Sequence, residues 1–218
     1  MDHVVAPAKP QARWTRRKFA RPSEILDAAV AVFAEKGFSA ARMEDIAHKA
    51  GVTKGTIYLY FQGKEDVFKS LIRESIGQTI TTNAMNAAHF EGSSRELIRI
   101  VLTAMSNFLL STDRIVLPKI IIAESGNFPE LARFYREEVI DRGLGLLTSV
   151  VDRGIARGEF RELPAEHVSR LCIAPILFIL LWRTSFARFD AVPFDYTAFV
   201  QTHIDVLLQG LSPDGAAA

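Results

Sequence analysis

Apolar residues recur at intervals of three and four along most of this chain, which is the spacing of an amphipathic α-helix. The first stripe predicts a helix from Ser23 to Lys36, with Ser23 as its N-cap and Gly37 as the residue that ends it. A second stripe predicts a short helix over 43–50 that stops at Gly51, and a third helix begins after Val52. The chain therefore opens with three helices in close succession.

A longer pattern runs from Lys64 to about Ala88 without a proline and predicts a helix that joins two domains. Capping and proline signals then predict five further helices, over 93–110, 112–124, 127–157, from near Pro164 onward, and over 195–209. The helix over 112–124 is expected to be kinked or short at Pro118, and the helix that begins near Pro164 to be interrupted by Pro175. No alternating strand pattern and no repeat occurs, so the predicted fold class is all-α.

Composition limits where the protein acts. Hydrophobic residues make up 49% of the chain and charged residues 23%, as in soluble globular proteins. The apolar run from Leu171 to Trp182 is shorter than the roughly 18 residues of a membrane span and predicts a buried helix. Because the N-terminus has no signal-peptide pattern, we expect a cytoplasmic protein that does not bind membranes. Cys172 is the only cysteine, so it predicts plain packing rather than a disulfide.

Charge is divided unevenly along the chain. Residues 1–64 hold 11 lysines and arginines against 6 aspartates and glutamates, whereas residues 65–218 hold 15 against 19. Only the N-terminal part is suited to meet phosphate. Residues 1–20 are predicted to be a flexible basic arm that is either a solvated tail or a direct DNA contact, and residues 212–218 a frayed tail.

The segment from Met43 to Phe61 has the helix-turn-helix pattern, two short helices joined by a tight turn at Gly51. At about 100° per residue, Ile57 and Phe61 share the inner face of the third helix, while Leu59 points outward beside Gly55 and Thr56. Tyr58 and Tyr60 fall on the two flanks. The arrangement suits a helix in a DNA major groove, with donors on both flanks for the phosphate strands.

Two alternatives stay open on this helix. The tyrosines are either phosphate donors or half-buried packing residues. Leu59 either touches a thymine methyl group or is a tolerated exposed leucine.

The run Met43-x-x-Ile46-Ala47-x-x-Ala50-Gly51-Val52-Thr53-x-Gly55-Thr56-Ile57-Tyr58-x-Tyr60-Phe61, preceded by Gly37-Phe38 and followed by Lys64, resembles the signature of the TetR family of transcriptional regulators. The resemblance implies a three-helix DNA-binding domain over 21–66 and a larger helical domain for ligand binding and dimerisation over 67–211. By the same resemblance Tyr58, Tyr60 and Lys64 hold phosphates and Thr56 lies nearest the bases. The full set of candidate DNA contacts is Arg42, Thr53, Lys54, Gly55, Thr56, Tyr58, Leu59, Tyr60 and Lys64.

The sequence departs from the family pattern just before the second helix. Many members carry two threonines there, whose hydroxyl caps the helix and touches a phosphate, whereas this chain has Ala41 and Arg42. The cap is therefore predicted to be weaker. Arg42 either replaces the lost phosphate contact or faces solvent.

The C-terminal domain resembles that of the AefR-like members through residues 122–124, 128–131 and 134–135. In the family the last two long helices pack against their copies as a four-helix bundle. Candidate interface residues, which alternatively form an ordinary monomer core, are Leu171, Ile176, Ile179, Phe199, Ile204, Leu207 and Leu208. A candidate cage for an apolar or amphipathic effector, which alternatively is plain core, consists of Met105, Phe108, Ile121, Phe134, Phe178 and Trp182.

Enzyme and carrier functions are the rival classes. No HExxH, P-loop or GxGxxG motif occurs, and the histidines lack metal-ligand spacing, so neither cofactor nor metal is expected. A ligand carrier would leave the helix-turn-helix without a use. The sequence therefore predicts a homodimeric repressor of a palindromic operator in double-stranded DNA, released by a small effector.

Overall fold

A computed structural model describes residues 12–111 and 113–213 of the chain. These residues form eleven α-helices and no β-strand, which confirms the predicted all-α class. The helices are α1 (Ala12–Ala40), α2 (Met43–Lys49), α3 (Lys54–Tyr58), α4 (Lys64–Ile72), α5 (Gln78–Ala88), α6 (Ser94–Ser111), α7 (Val116–Glu124), α8 (Pro129–Tyr135), α9 (Arg142–Ala156), α10 (Ala165–Leu181) and α11 (Tyr196–Gly210). The chain divides within α4 into two compact units, Met1–Phe68 and Lys69–Ala218.

The first helix begins earlier than its apolar stripe predicts. α1 starts at Ala12, so Ser23 is not its N-cap, and Pro22 lies inside the helix. Residues 12–17 contain one alanine and three arginines, which are good helix formers, but no apolar stripe, so periodicity misses this part. The helix takes in residues 12–20 of the predicted arm, while residues 1–11 lie outside the described residues.

Three phenylalanines form the centre of the N-terminal unit. Phe33 and Phe38 have ring centroids 5.4 Å apart, and Phe68 meets them edge-on at 5.6 and 5.3 Å. All three rings are fully buried. Gly37, with φ of +75°, lets the chain turn between Phe33 and Phe38, a conformation that residues with a Cβ rarely adopt.

Helix α2 is capped from within. Arg42, its N-cap residue, has no side-chain acceptor and makes no side-chain cap hydrogen bond, while the weakness of this cap stays a prediction. Asp45 compensates in part, because one carboxylate oxygen accepts a hydrogen bond from the Arg42 amide at 3.1 Å and the other accepts from Lys36 Nζ at 2.8 Å. The Lys36 ammonium, followed by the Arg42 amide, holds the pKa of Asp45 below its ordinary value of 3.8.

An apolar core lies between α6, α9, α10 and α11 in the C-terminal unit. Leu102, Val151, Cys172, Ile176 and Ile204 are buried in it. Burial raises the pKa of the Cys172 thiol to about 12, which suits the predicted packing role. The core thus draws on the four longest helices of this unit.

Three π-helical segments extend the helices without breaking them. Arg73–Gly77 joins α4 to α5, Arg136–Asp141 joins α8 to α9, and Trp182–Phe186 extends α10. The predicted long helix over 64–88 is therefore continuous. The π-helical segment changes the register of its apolar residues, and Ile76 is only half-buried. The predicted interruption at Pro175 is wrong, since α10 continues through that residue.

The apolar run of α10 is not the buried helix that its composition predicts. Ile176 and Ile179 face the core, but Leu171, Phe178 and Leu181 on the other faces are 40 to 60% exposed. By length and composition alone the stretch Ala165–Phe189 could cross a membrane, and so could the bent pair 94–110 and 113–124 taken together. A core-facing side on α10 is equally the mark of a helix in a bundle.

The aromatic core yields a stability prediction. Phe68→Ala should lower the free energy of unfolding by about 3 to 5 kcal/mol, because removal of the buried ring leaves a cavity beside Phe33 and Phe38. Phe189, which is 71% exposed, supplies the control, and Phe189→Ala should change stability by less than about 0.5 kcal/mol. Urea unfolding followed by circular dichroism measures both, and equal effects would contradict the assigned core.

The cap of α2 yields a pH prediction. Since the folded pKa of Asp45 is lowered, its carboxylate stabilises the fold above the ordinary value of 3.8, and this contribution disappears as pH falls through the folded pKa. Asp45→Asn should therefore lower the Tm at pH 7, and the difference from the natural protein should narrow below pH 3.8. Asp152→Asn, at an exposed position on α9, is the control. A difference independent of pH would contradict this role of Asp45.

Candidate nucleic-acid interface and ligand groove

The turn between α2 and α3 presents one face of α3 to solvent. Gly51 takes a φ of +65°, and Thr53 caps α3 by accepting a hydrogen bond from the Thr56 amide at 3.2 Å. Ile57 and Phe61 are buried, as their helical spacing predicts. Leu59 lies on the outer side and is 80% exposed. The segment therefore has the inner and outer faces that a groove-binding helix needs.

The candidate DNA contacts all keep access to solvent. Three are half-buried, namely Thr56, Tyr60 and Lys64. The exposed ones are Arg42, Thr53, Lys54, Gly55, Tyr58 and Leu59. The two tyrosines thus differ, since Tyr58 is nearly half exposed whereas Tyr60 packs more closely.

Two of the candidate hydroxyls are hydrogen-bonded to each other. Thr53 Oγ1 and Thr56 Oγ1 are 2.8 Å apart, and Thr53 Oγ1 also accepts from the Thr56 amide. One hydroxyl of the pair donates to the other, so a single hydroxyl hydrogen stays outside this bond. The two threonines consequently present one coupled polar group at the start of α3.

Lys64 has a structural role that the sequence did not indicate. Its ammonium donates to the carbonyls of Phe38 and Ser39 at 2.8 Å and of Ala41 at 3.3 Å, and it lies 4.8 Å from the centre of the Phe38 ring. An ammonium has three donors, so these carbonyls engage all of them. In the unbound protein Lys64 therefore fixes the turn between α1 and α2.

Lys54 at the start of α3 is paired with an acidic residue of α2. Lys54 Nζ lies 2.6 Å from Glu44 Oε1, and both side chains are more than half exposed. The hydrogen bond lowers the pKa of Glu44 and raises the pKa of Lys54, so both groups are charged at neutral pH. Glu44 is a site residue that the sequence reasoning missed, because only the folded turn brings it to Lys54.

An open groove of about 760 Å³ lies in the C-terminal unit between α5, the start of α6 and α9. None of the six residues of the predicted cage lines it. Its walls are formed by Ile80, Thr81, Ala84, Met85, Ala87, Ala88, Leu97, Arg142, Gly145, Leu146, Ser149, Val150 and Arg153. The small residues at helical spacing on α5 and α9 were the available signal for this site.

The polar groups of the groove are mostly engaged by the protein itself. The hydroxyls of Thr81 and Ser149 donate to the carbonyls of Gly77 and Leu146 within their own helices. Arg153 donates to the carbonyl of Phe90 at 2.9 Å. Arg142, which is about half exposed, pairs with Glu138 at 3.2 Å. The groove is thus mostly apolar, and both of its arginines, Arg142 and Arg153, already have partners in the protein.

The residues of the predicted cage have different surroundings. Phe178 is exposed and lies 5.6 Å from Trp182 between ring centroids, in an aromatic surface cluster. Phe134 lies beneath two cations, Lys69 Nζ at 5.6 Å and the Arg73 guanidinium at 4.8 Å. Ile121 is buried, and Met105 and Phe108 are half-buried. Their role in binding an effector stays a prediction.

Four of the predicted interface residues need correction. Ile176, Ile179, Ile204 and Leu208 are at most 3% exposed, because they pack into the core of their own chain. They are therefore not accessible to a second copy. Phe199 and Leu207 are half-buried, and only Leu171 is exposed. The apolar residues that α10 and α11 do expose are Leu171, Leu177, Phe178, Leu181 and Val206.

No group of three or more histidine, cysteine, aspartate or glutamate residues in the described part of the chain is placed to hold a metal ion.

Comparisons with known proteins match both units. Residues 25–71 match the family described as bacterial regulatory proteins, tetR family, and residues 91–191 match the tetracyclin repressor-like C-terminal domain. The resemblance of residues 122–135 to AefR-like members stays a prediction.

Relatives and solved structures agree with these matches. The fatty acid metabolism regulator protein of Bacillus subtilis is 29% identical over 90% of this chain and 98% of its own. An uncharacterised HTH-type transcriptional regulator of the same organism, YdeS, is 33% identical over 72% of this chain and 76% of its own. The crystal structure of the regulator FadR from B. subtilis in complex with stearoyl-CoA has a TM-score of 0.74 at 26% identity, covering 87% of this chain and 98% of that one.

These relatives are transcriptional regulators and not enzymes. With its N-terminal helix-turn-helix and its helical C-terminal domain, this chain belongs to the TetR family of transcriptional regulators.

Proposed function

We propose that the protein is a repressor that binds a palindromic operator as a dimer and leaves it when an amphipathic effector binds. The observation that carries the proposal is the exposed outer face of α3, with hydrogen-bond donors at its start and on its flank. Such a face fits a major groove, where donors to phosphates fix the register and the outer residues approach base edges. The DNA lies in the bacterial cytoplasm, where we expect the protein to act.

The candidate contacts divide by chemistry. Tyr58 and Tyr60 carry neutral donors for phosphates, and Arg42 and Lys54 carry charge. Thr56 approaches the bases. Lys64 reaches a phosphate only by giving up a carbonyl that it now holds, so we assign its main part in DNA binding to fixing the α1–α2 turn.

Dimerisation is supported by the apolar surface of α10 and α11. Leu171, Leu177 and Leu181 of α10 and Val206 of α11 are 40 to 65% exposed. Since α10 and α11 pack against each other, these exposed apolar residues on neighbouring helices make a candidate interaction surface. A two-fold dimer would also supply two recognition helices, which must lie about 34 to 36 Å apart to enter successive major grooves.

Leu171→Asp tests this surface. The side chain is 60% exposed, so the substitution should leave the fold of one protomer intact, while it would bury an unpaired charge in the dimer. We expect a monomeric mass by light scattering at micromolar concentration and loss of operator binding. Val192→Asp, at an exposed position outside these two helices, is the control. A dimeric Leu171→Asp protein would contradict the proposed interface.

The effector class that we propose is a long-chain acyl thioester. One support is the related FadR protein, whose structure holds stearoyl-CoA. The other is the groove, whose mostly apolar walls suit an acyl chain and whose Arg142 would exchange its partner Glu138 for an anionic head group. Its volume of about 760 Å³ also falls in the usual range for ligand sites, roughly 300 to 1,000 Å³. An effector that binds the DNA-free protein more tightly than the DNA complex must by linkage weaken DNA binding.

Gly145→Leu tests the groove. A Cβ on Gly145 meets no atom within 4 Å, so the larger side chain should fill the groove without distorting α9. The variant should bind the protein's own promoter region as tightly as the natural protein does, because the change lies outside the helix-turn-helix. Stearoyl-CoA should release the natural protein from this DNA and leave the variant bound, as a mobility-shift titration measures.

Gly126→Leu is the matched control, since its Cβ also meets no atom within 4 Å and it does not line the groove. It should respond to stearoyl-CoA like the natural protein. If Gly145→Leu were still released, the groove would not be the effector site. If stearoyl-CoA released neither protein, the acyl thioester class would be wrong while the DNA-binding function stood.

A further inference from the structure

An exposed ion pair joins the two helices of the helix-turn-helix. Lys54 is the first residue of α3, Glu44 is the second residue of α2, and 2.6 Å separates Lys54 Nζ from Glu44 Oε1. The exposed pair Arg170–Glu166, by contrast, lies within one helix at i, i+4 spacing. The Glu44–Lys54 pair therefore depends on the fold of the turn. It lies at the start of α3, the helix proposed to enter the major groove of DNA.

The carboxylate of Glu44 is not needed to close α2. Asp45 already accepts the hydrogen bond from the Arg42 amide, and its second oxygen accepts from Lys36. Glu44 makes its short contact with Lys54 instead. With side chains 65% and 51% exposed, both members of the pair are within reach of a nucleic acid.

DNA phosphates and Glu44 require the same group. A phosphate oxygen that accepts from Lys54 replaces a carboxylate that already does so, and it leaves the anionic Glu44 beside an anionic backbone. Each lysine that moves onto a phosphate releases a counterion and steepens the salt dependence of binding. A lysine that stays on its carboxylate releases none.

We propose that Glu44 is a specificity-determining residue that competes with DNA phosphate for Lys54. On random DNA, where the outer face of α3 finds no matching bases, Lys54 stays on Glu44 and contributes little. On the operator, base contacts hold α3 deep in the major groove of the DNA, and Lys54 transfers to a phosphate. Glu44 thereby weakens random binding more than operator binding. The inference rests on the proposed DNA contact of Lys54.

Salt titrations of a four-variant cycle on operator and on random duplex of equal length test this role, with the full-length protein. Glu44→Gln should steepen the salt slope on random DNA by about one unit for each protomer bound. It should leave the operator slope nearly unchanged, and the operator-to-random affinity ratio should fall severalfold. Lys54→Met should lower the operator slope by a similar amount, and Glu44→Gln should have no further effect on slope in the Lys54→Met protein.

Controls separate the competitor role from other effects. Glu35→Gln removes one exposed acid of α1 and should change neither slope. A thermal melt of Glu44→Gln should show nearly the natural Tm, because an ion pair this exposed contributes little to stability and Asp45 still caps α2. If Glu44→Gln steepened the random slope equally in the Lys54→Met protein, Glu44 would act by general repulsion and the proposal would fail. An unchanged random slope in Glu44→Gln would overturn it as well.

The failure of the proposed function has a different signature. If Lys54→Met bound the operator with natural affinity and slope, Lys54 would not contact DNA, and the competitor role would fall with that contact. If the natural protein did not distinguish its promoter region from random duplex, the repressor proposal itself would be overturned.

Discussion

Three helix ends in this protein are held by cationic side chains from distant parts of the sequence. Every α-helix leaves its last four carbonyls without partners in the helix. Lys64 satisfies carbonyls at the end of α1, Arg183 those of Leu109 and Leu110 in α6, and Arg161 that of Gly210 in α11. A positive group is also favoured there by the helix dipole. These contacts tie the ends of α1, α6 and α11 to residues elsewhere in the fold.

The same contacts explain which parts of the structure the sequence could predict. Ile57 and Phe61 share a face through local spacing alone, so their burial was predictable. Lys64 is 26 residues from Phe38, and no local pattern indicates that its ammonium holds that carbonyl. A family resemblance assigned it to phosphate instead. Spacing along one helix is thus a reliable guide, whereas a long cationic side chain has several possible partners that only the fold distinguishes.

Helix α10 shows a second limit. It is apolar around most of its circumference, and periodicity cannot say which side faces its own core and which faces outward. Packing against α9 and α11 buries Ile176 and Ile179 and leaves Leu171 exposed, so four of the seven predicted interface residues belong to the core. The groove beside α5 and α9 was missed for a related reason. Small residues at helical spacing allow two outcomes, a groove between helices or close packing of the helices. Only the folded structure distinguishes these outcomes.

The distribution of charge in the helix-turn-helix alters how DNA binding should be understood. The excess of positive charge in residues 1–64 suggests an interface dominated by electrostatic attraction. In the folded unit, however, Lys36 pairs with Asp45, Lys54 pairs with Glu44, and Lys64 is held by backbone carbonyls. A cation of this set that contacts a phosphate would first have to give up its protein partner, which reduces its net gain on binding. The fit of α3 to base edges, which depends on the DNA sequence, would then decide affinity to a larger extent. We therefore expect internal pairing of the cations to favour discrimination between sites over strength of binding.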